Sequence, residues 1–325
     1  MNPAYSVILL TTLIGAGQGL YLALFTVESY AAFALLPKQG GDFFALGSAV
    51  ALALLAAGLV ASFFHLGRPA RAWRAAAQWR SSWLAREVIV LPAFIAAVVL
   101  YGGAHLFGVN PRLGMLPSGV PLHFTMIVGA AASVLAVLLF VCTAMIYACL
   151  RFLREWHTPL TVVNYILLGG ASGFVLATAL AALAAPEVLA FLAGWAMVLT
   201  ALAFVARATT LARNRRLAAA TPRHNPIGIR HAHITQLAQG AMGGSFNTRE
   251  FFHGRSAATV RAVQWTFLAL CFPVPLALLA LGWGTQSADV LAAAFVAQYV
   301  GLLAERWSFF AQANHPQNLY YRSTG

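Results

Sequence analysis

The run PLHFTMIVGAAASVLAVLLFVCTAMIYACL, residues 121–150, contains no Asp, Glu, Lys or Arg and decides the fold class. About 20 apolar residues in a helix cross a hydrocarbon core that is about 30 Å thick. Backbone amides cannot stay unpaired in lipid, and the run lacks the alternation of barrel strands, so a transmembrane helix is predicted. Comparable runs lie at about 6–36, 43–64, 84–107, 121–150, 160–184, 188–210, 260–283 and 288–312. The sequence predicts an all-α integral membrane protein with a single domain of eight transmembrane helices.

The composition of the 325 residues agrees with a chain surrounded by lipid. Hydrophobic residues make up 61% of the chain and charged residues 9%, whereas soluble domains carry about 25% charged residues. So few charges cannot cover the outside of a folded particle in water. The composition therefore excludes a soluble enzyme.

A glycine-rich segment, Gly15-Ala16-Gly17-Gln18-Gly19, lies in the middle of the first run. A phosphate-binding loop needs a preceding strand and an aqueous environment, and neither is predicted here. Small residues in a membrane helix let two backbones approach each other. The segment therefore predicts close helix packing.

The net charge of +12 comes from 19 Arg and one Lys against eight acidic residues. A basic excess of this size raises the question of nucleic-acid binding. No basic stretch is interleaved with base-stacking aromatic residues, and the Arg residues lie between the apolar runs. The basic residues therefore indicate membrane topology, and no nucleic-acid partner is expected.

The basic residues are distributed very unevenly between the two sides of the predicted bundle. Face A is defined by both termini and the connections 65–83, 151–159 and 211–259. When each basic residue is assigned to its nearer helix end, face A collects 18, including Arg207 and Arg306, and face B only Lys38 and Arg112. The positive-inside rule predicts that face A is cytoplasmic, in a bacterial inner membrane. A docking surface for a partner would also make face A basic.

The connection 211–259 is the longest in the chain, and long connections are usually functional or disordered. Its Phe residues require burial, so it is not expected to be disordered. We interpret it as a partner-docking loop. The docking residues proposed within it are Asn247, Arg249, Glu250 and Phe251.

The densest polar stretch joins the second and third runs on face A, with FFHLGRPARAW at 63–73 and WRSSWLARE at 79–87. His65 closes one run and Glu87 opens the next, so an imidazole and a carboxylate enter the bundle from the same side. Such a pair suits hydrogen bonding and proton transfer to a quinone head group. Side chains placed around the pair are Arg68, Arg86, Trp73 and Trp83.

The same stretch also fits a structural role. His65 would then bond a backbone carbonyl, Glu87 would pair with Arg86 or Arg80, and the Trp residues would form an interfacial belt. Spacing alone leaves both interpretations open.

Other polar residues within the runs are few. Glu28 has no charged neighbour in the sequence, and both an intramembrane proton path and a cross-helix hydrogen bond are open for it. Glu305 precedes Arg306, which predicts a local ion pair.

His105 and His123 flank the connection on face B as candidate haem ligands, but histidines at an interface are usually solvated, so haem b is not expected. The three cysteines form no iron–sulfur or covalent haem motif, and no metal site is expected.

Four features together resemble the membrane-anchor subunit of dimethyl sulfoxide reductase type complexes. They are the turn HLGRP at 65–69, the segment SWLARE at 82–87, the loop SFNTREFF at 245–252 and the eight runs. The resemblance covers nearly the whole chain. It implies two partners, an iron–sulfur subunit and a molybdopterin catalytic subunit, which alone carry those cofactors. It also implies that this chain binds ubiquinone or menaquinone non-covalently, with the quinone-site His and Glu at His65 and Glu87.

Within this family, NPAYSVI at 2–8 and AERW at 304–307 are most similar to anchors of the cytoplasmic sulfite-oxidising branch. That similarity implies electron flow from sulfite through the iron–sulfur clusters to quinone. An alternative keeps the architecture but reverses the flow, with quinol oxidised and an oxide reduced. A third hypothesis from another class is a secondary transporter, although paired broken helices are not evident.

Overall fold

Eight helical spans long and apolar enough to cross a membrane make up most of the computed structural model, which describes residues 1–217 and 250–316. The predicted all-α, eight-span fold class is confirmed for these residues. The helices are α1 (Tyr5–Ala32), α2 (Gly41–Phe63), α3 (Trp83–Leu106), α4 (Phe124–Ala148), α5 (Pro159–Ala184), α6 (Leu189–Arg215), α7 (Ala257–Cys271), α8 (Pro273–Thr285) and α9 (Ala288–Ala311). Helices α7 and α8 together form the seventh span.

The seventh span is interrupted at Phe272, which the apolar run 260–283 did not predict. Phe272 has φ −126° and ψ −79°, outside the helical region. The cause is Pro273, which has no N–H to donate and disfavours helical backbone at the residue before it. The span therefore consists of two consecutive helices.

Three of the described connections contain regular structure. The one between α5 and α6 holds a short 3₁₀ helix at Pro186–Val188. A 3₁₀ helix at Pro69–Gln78 lies between α2 and α3. On face B, strands β1 (Arg112–Met115) and β2 (Pro121–His123) form an antiparallel hairpin, so that α4 begins at Phe124. Gly119, in the turn of this hairpin, has φ +81°, a left-handed conformation that favours glycine.

Helices α1 and α5 are the most buried of the spans in the described residues, and they cross through glycines. A Cβ atom built on Gly173 would lie 2.0 Å from the carbonyl carbon of Gly19. One built on Gly19 would lie 2.2 Å from the carbonyl oxygen of Gly169. The close packing predicted for the glycine-rich segment is therefore confirmed. This crossing sets the spacing of the two helices that contribute most to the candidate site.

Candidate functional site

Glu87 is held inside the bundle by the start of α3. The hydroxyl of Ser82 caps this helix by accepting a hydrogen bond from the Ala85 backbone N–H at 3.3 Å. Glu87 follows one turn later and is only 8% exposed. The Thr143 hydroxyl of α4 donates to Glu87 Oε1 at 2.5 Å. The Glu87 carboxyl group is thus buried near face A and accepts a hydrogen bond from a neutral hydroxyl.

A cavity of about 30 Å³ adjoins the Glu87 carboxylate. Side chains from α1, α3, α4, α5 and α9 line it. Its polar lining includes Thr11, Gln18, Glu87, Thr143, Tyr165 and Arg306. The volume is enough for one or two water molecules, since a water needs about 10–15 Å³ by this measure. The cavity is therefore a polar chamber with room for water.

His65 lies two residues beyond the end of α2 and is exposed. It is not among the residues that line the Glu87 cavity, so the structure does not bring these two predicted partners into one chamber. Its imidazole makes no hydrogen bond within the described part of the chain, where the structural interpretation expected one to a backbone carbonyl. Partial burial of the ring lowers the pKa of His65 from its usual value, which favours the neutral imidazole at pH 7.

Arg86 does not pair with Glu87, so that part of the structural interpretation is wrong. Its guanidinium donates to the backbone carbonyls of Trp79 and Arg80, each at 2.9 Å. It also lies 4.0 Å from the centre of the Trp83 ring, a cation–π contact. Arg86 thus links the end of the connection to α3 and makes no ion pair with Glu87.

The rest of the connection presents Arg and Trp side chains on face A. Arg68 and Trp73 are exposed, and the Arg74 guanidinium lies 5.6 Å from the centre of the Trp73 ring. Trp79 and Arg80 form a similar pair at 5.3 Å. Such amphipathic pairs are typical of the boundary between lipid and water.

Three charged side chains form a buried cluster, of which the sequence predicts only the pair of neighbours. Glu305 Oε2 lies 2.6 Å from Arg306 Nε, which confirms the predicted local ion pair. Glu305 Oε1 lies 2.8 Å from Arg207 Nε of α6. All three side chains are at most 5% exposed. The Arg306 guanidinium also stacks 4.1 Å above the Tyr165 ring. The cluster carries one uncompensated positive charge next to the Glu87 cavity.

The assignment of Arg207 and Arg306 to the basic surface of face A was therefore wrong, because both lie inside the bundle. The sequence pattern of α6 indicates that Arg207 is buried. Arg207 shares a helix face with Ala203, Thr210 and Leu211, which are all buried. A residue on the buried face of a span is a functional or structural candidate, whereas a topology determinant lies beyond the helix end.

A second polar cluster lies toward face B. The Thr125 hydroxyl donates to Glu28 Oε1 at 2.5 Å, and His105 Nε2 lies 3.5 Å from the same oxygen. The His105 ring stacks on Phe44 at 4.5 Å and meets Tyr101 edge-on at 4.7 Å. The cross-helix hydrogen bond considered for Glu28 is therefore present, and the intramembrane proton path stays a prediction.

The two haem candidates are not brought together by these contacts. His105 is engaged by Glu28, whereas His123 Nδ1 lies 3.3 Å from the carbonyl oxygen of Asn110 at the edge of the hairpin. In the described ranges, no group of three or more His, Cys, Asp or Glu side chains is arranged to hold a metal ion.

The predicted docking residues are described only in part. Asn247 and Arg249 lie outside the described residues. The carbonyl of Glu250 accepts a hydrogen bond from the Asn2 backbone N–H at 2.9 Å. The Phe251 ring stacks on His315 at 3.8 Å, so it packs against the segment that follows α9.

Comparison with known proteins extends over nearly the whole sequence. A family model described as DMSO reductase anchor subunit (DmsC) matches residues 1–225. A sulfite dehydrogenase subunit from Allochromatium vinosum is 53% identical over 323 residues, which are 99% of this chain and 99% of that protein. The region matched by the family model includes Glu87 and Arg207, and the similarity to the A. vinosum protein extends across α9 as well.

Proposed function

Because this chain belongs to the DMSO reductase anchor subunit family, we propose that it passes electrons from an iron–sulfur partner subunit to quinone, with Glu87 as the proton donor. Reduction of one quinone to quinol consumes two electrons and two protons. The electrons come from the clusters of the partner. The protons have to reach the quinone oxygens through side chains of this chain.

The observation that carries the proposal is the buried Glu87 carboxylate beside a polar cavity near face A. A carboxyl group in such a position transfers protons over a hydrogen-bond length, and general acid catalysis of this kind contributes about 10²–10⁴-fold to a rate. The quinone head group approaches Glu87 from the outer edge of the chamber. His65, neutral and exposed at the end of α2, supplies a second hydrogen bond at the boundary of the bilayer.

Sulfite is the proposed source of the electrons, because the relative that is 53% identical belongs to a sulfite dehydrogenase. The partners are then an iron–sulfur subunit and a molybdopterin subunit docked on face A, in the bacterial cytoplasm. The basic surface of face A supports this orientation. The name of the family model favours the reverse direction, in which quinol is oxidised and an oxide is reduced. Membership of an anchor family speaks against a transporter.

The site is tested with Glu87→Gln in the intact complex. The amide keeps the size of the side chain but cannot transfer a proton, so quinone reduction by sulfite should fall about 100-fold or more. Sulfite oxidation with an artificial acceptor that takes electrons from the partner subunits should be unchanged. Glu187→Gln is the matched control, because Glu187 is exposed on face B. His65→Ala should also slow quinone reduction without loss of assembly.

A Glu87→Gln complex that reduces quinone at the wild-type rate would contradict the assignment. A wild-type complex that oxidises sulfite with the artificial acceptor but never reduces quinone would contradict the proposed function itself.

A further inference from the structure

Two buried polar side chains that line the Glu87 cavity keep hydrogen-bonding capacity beyond the contacts they make with each other. They are Tyr165 on α5, with its hydroxyl, and Arg306 on α9, with five N–H donors of which Glu305 engages Nε. Tyr165 is 6% exposed and Arg306 is 4% exposed. Buried polar groups in folded proteins are almost always satisfied, by protein or by ordered water. The two side chains can therefore hydrogen-bond an occupant of the cavity.

The chamber suits water in both size and chemistry. Its volume of about 30 Å³ exceeds the roughly 10–15 Å³ that one water needs, and an ordered water needs two to four polar partners. Tyr165, Arg306 and Glu87 all line the chamber, together with Thr11 and Gln18 of α1. A purely apolar cavity of this size would stay dry, but this one has both donors and acceptors in its lining.

From this arrangement we propose that the cavity holds ordered water that delivers protons to Glu87, and that Tyr165 and Arg306 are the positioning residues for this water. The inference rests on the proposed function and adds the source of the protons that reach Glu87. Tyr165 donates or accepts one hydrogen bond through its hydroxyl, and Arg306 donates one through Nη1. The water in turn hydrogen-bonds the Glu87 carboxylate.

The buried ion cluster holds Arg306 in place at the cavity. Its Nε is engaged by Glu305 at 2.6 Å and its guanidinium stacks on Tyr165 at 4.1 Å, so it is fixed in orientation. Arg207 binds the other oxygen of Glu305. The cluster of Arg207, Glu305 and Arg306 has a net charge of +1, which becomes neutral with an ionised Glu87.

The proton balance is simple. Glu87 gives one proton to a quinone oxygen and takes one from the cavity water, which recovers a proton from bulk water on face A. Two such cycles, with two electrons from the partner clusters, convert one quinone to one quinol. Tyr165 and Arg306 are unchanged at the end.

The test is Tyr165→Phe in the intact complex. This variant removes the hydroxyl but keeps the ring beneath Arg306. We expect kcat for quinone reduction to fall about tenfold with the KM for quinone within about twofold of wild type, and the solvent deuterium isotope effect on kcat to rise. Tyr21→Phe is the matched control, because Tyr21 is also buried but donates to the carbonyl of Gly129 and does not line the cavity.

A second variant changes the volume of the cavity and leaves both positioning residues unchanged. Gly15 lines the cavity, and a Cβ there would make ordinary contacts of 3.6 Å with Gly169 and 3.8 Å with Phe140. Gly15→Ala therefore narrows the chamber without a clash and should lower kcat in the same way. Gly170→Ala, which meets nothing within 4 Å, is its control.

Tyr165→Phe or Gly15→Ala with the wild-type kcat and isotope effect would overturn the inference. That outcome leaves the proposed function intact, because it would be obtained on complexes that still reduce quinone. Failure of the proposed function would show instead as a wild-type complex without quinone reduction.

Discussion

At the scale of single residues, the buried cluster of Arg207, Glu305 and Arg306 depends on the pairing of opposite charges. Glu305 is fully buried between Arg207 and Arg306, one of which lies on a different helix and the other of which is its sequence neighbour. The local pair could be predicted, because the two residues are adjacent. The pair with Arg207 could not, because the sequence does not state which faces of α6 and α9 meet.

Removal of the central acid should be severely destabilising. Glu305→Gln leaves two guanidinium groups buried without a counter-charge, and breaking a buried pair of this kind costs about 3–5 kcal/mol. We expect a large loss of folded protein in detergent and a lower midpoint of thermal unfolding.

The double variant Glu305→Gln with Arg207→Met should recover part of this loss, because it removes one of the two unpaired charges. A Glu305→Gln protein with wild-type thermal stability would show that the cluster is solvated, in contradiction to its burial.

At the scale of helices, the crossing of α1 and α5 holds the bundle together around the candidate site. Gly19 and Gly173 let the two backbones touch, and the glycine-rich segment in α1 was sufficient to predict close packing. Its partner on α5 could not be predicted, since small residues occur in several spans.

Gly173→Ala should destabilise the bundle. The new Cβ would meet the backbone of Gly19 at 2.0 Å, and a backbone cannot move aside as a flexible side chain can. We expect a loss of about 1–3 kcal/mol, measured as a lower midpoint of thermal unfolding in detergent.

Gly170→Ala on the same helix is the control, because its Cβ would enter open space. It should be neutral or slightly stabilising, since Ala is the better helix former. Equal behaviour of the two variants would contradict the close crossing.

Helix number and type followed from hydropathy, but local detail did not. The break at Phe272 depends on Pro273, whose effect is hidden inside an apolar run. The second strand of the hairpin, β2, is apolar enough to be included in the run 121–150. Hydropathy measures transfer to lipid and does not distinguish helix from strand at the edge of a span.

At the scale of the whole molecule, the carboxyl groups of Glu87 and Glu28 lie toward opposite faces. Glu87 and its cavity lie near face A, and the cluster of Glu28 and His105 lies toward face B. The entry of Glu87 into the bundle could be predicted from its place at the start of a span. Its neighbours Tyr165 and Arg306 could not, because they come from helices remote in the sequence.

The central claim is that this chain passes electrons from partner subunits to quinone. The most direct measurement is to purify the chain from its native membrane in mild detergent and to follow quinone reduction after addition of sulfite. We expect an iron–sulfur subunit and a molybdenum-containing subunit to co-purify, and sulfite to reduce quinone at a rate that Glu87→Gln strongly lowers. A chain that comes out alone, or a three-subunit complex in which sulfite never reduces quinone, would contradict it.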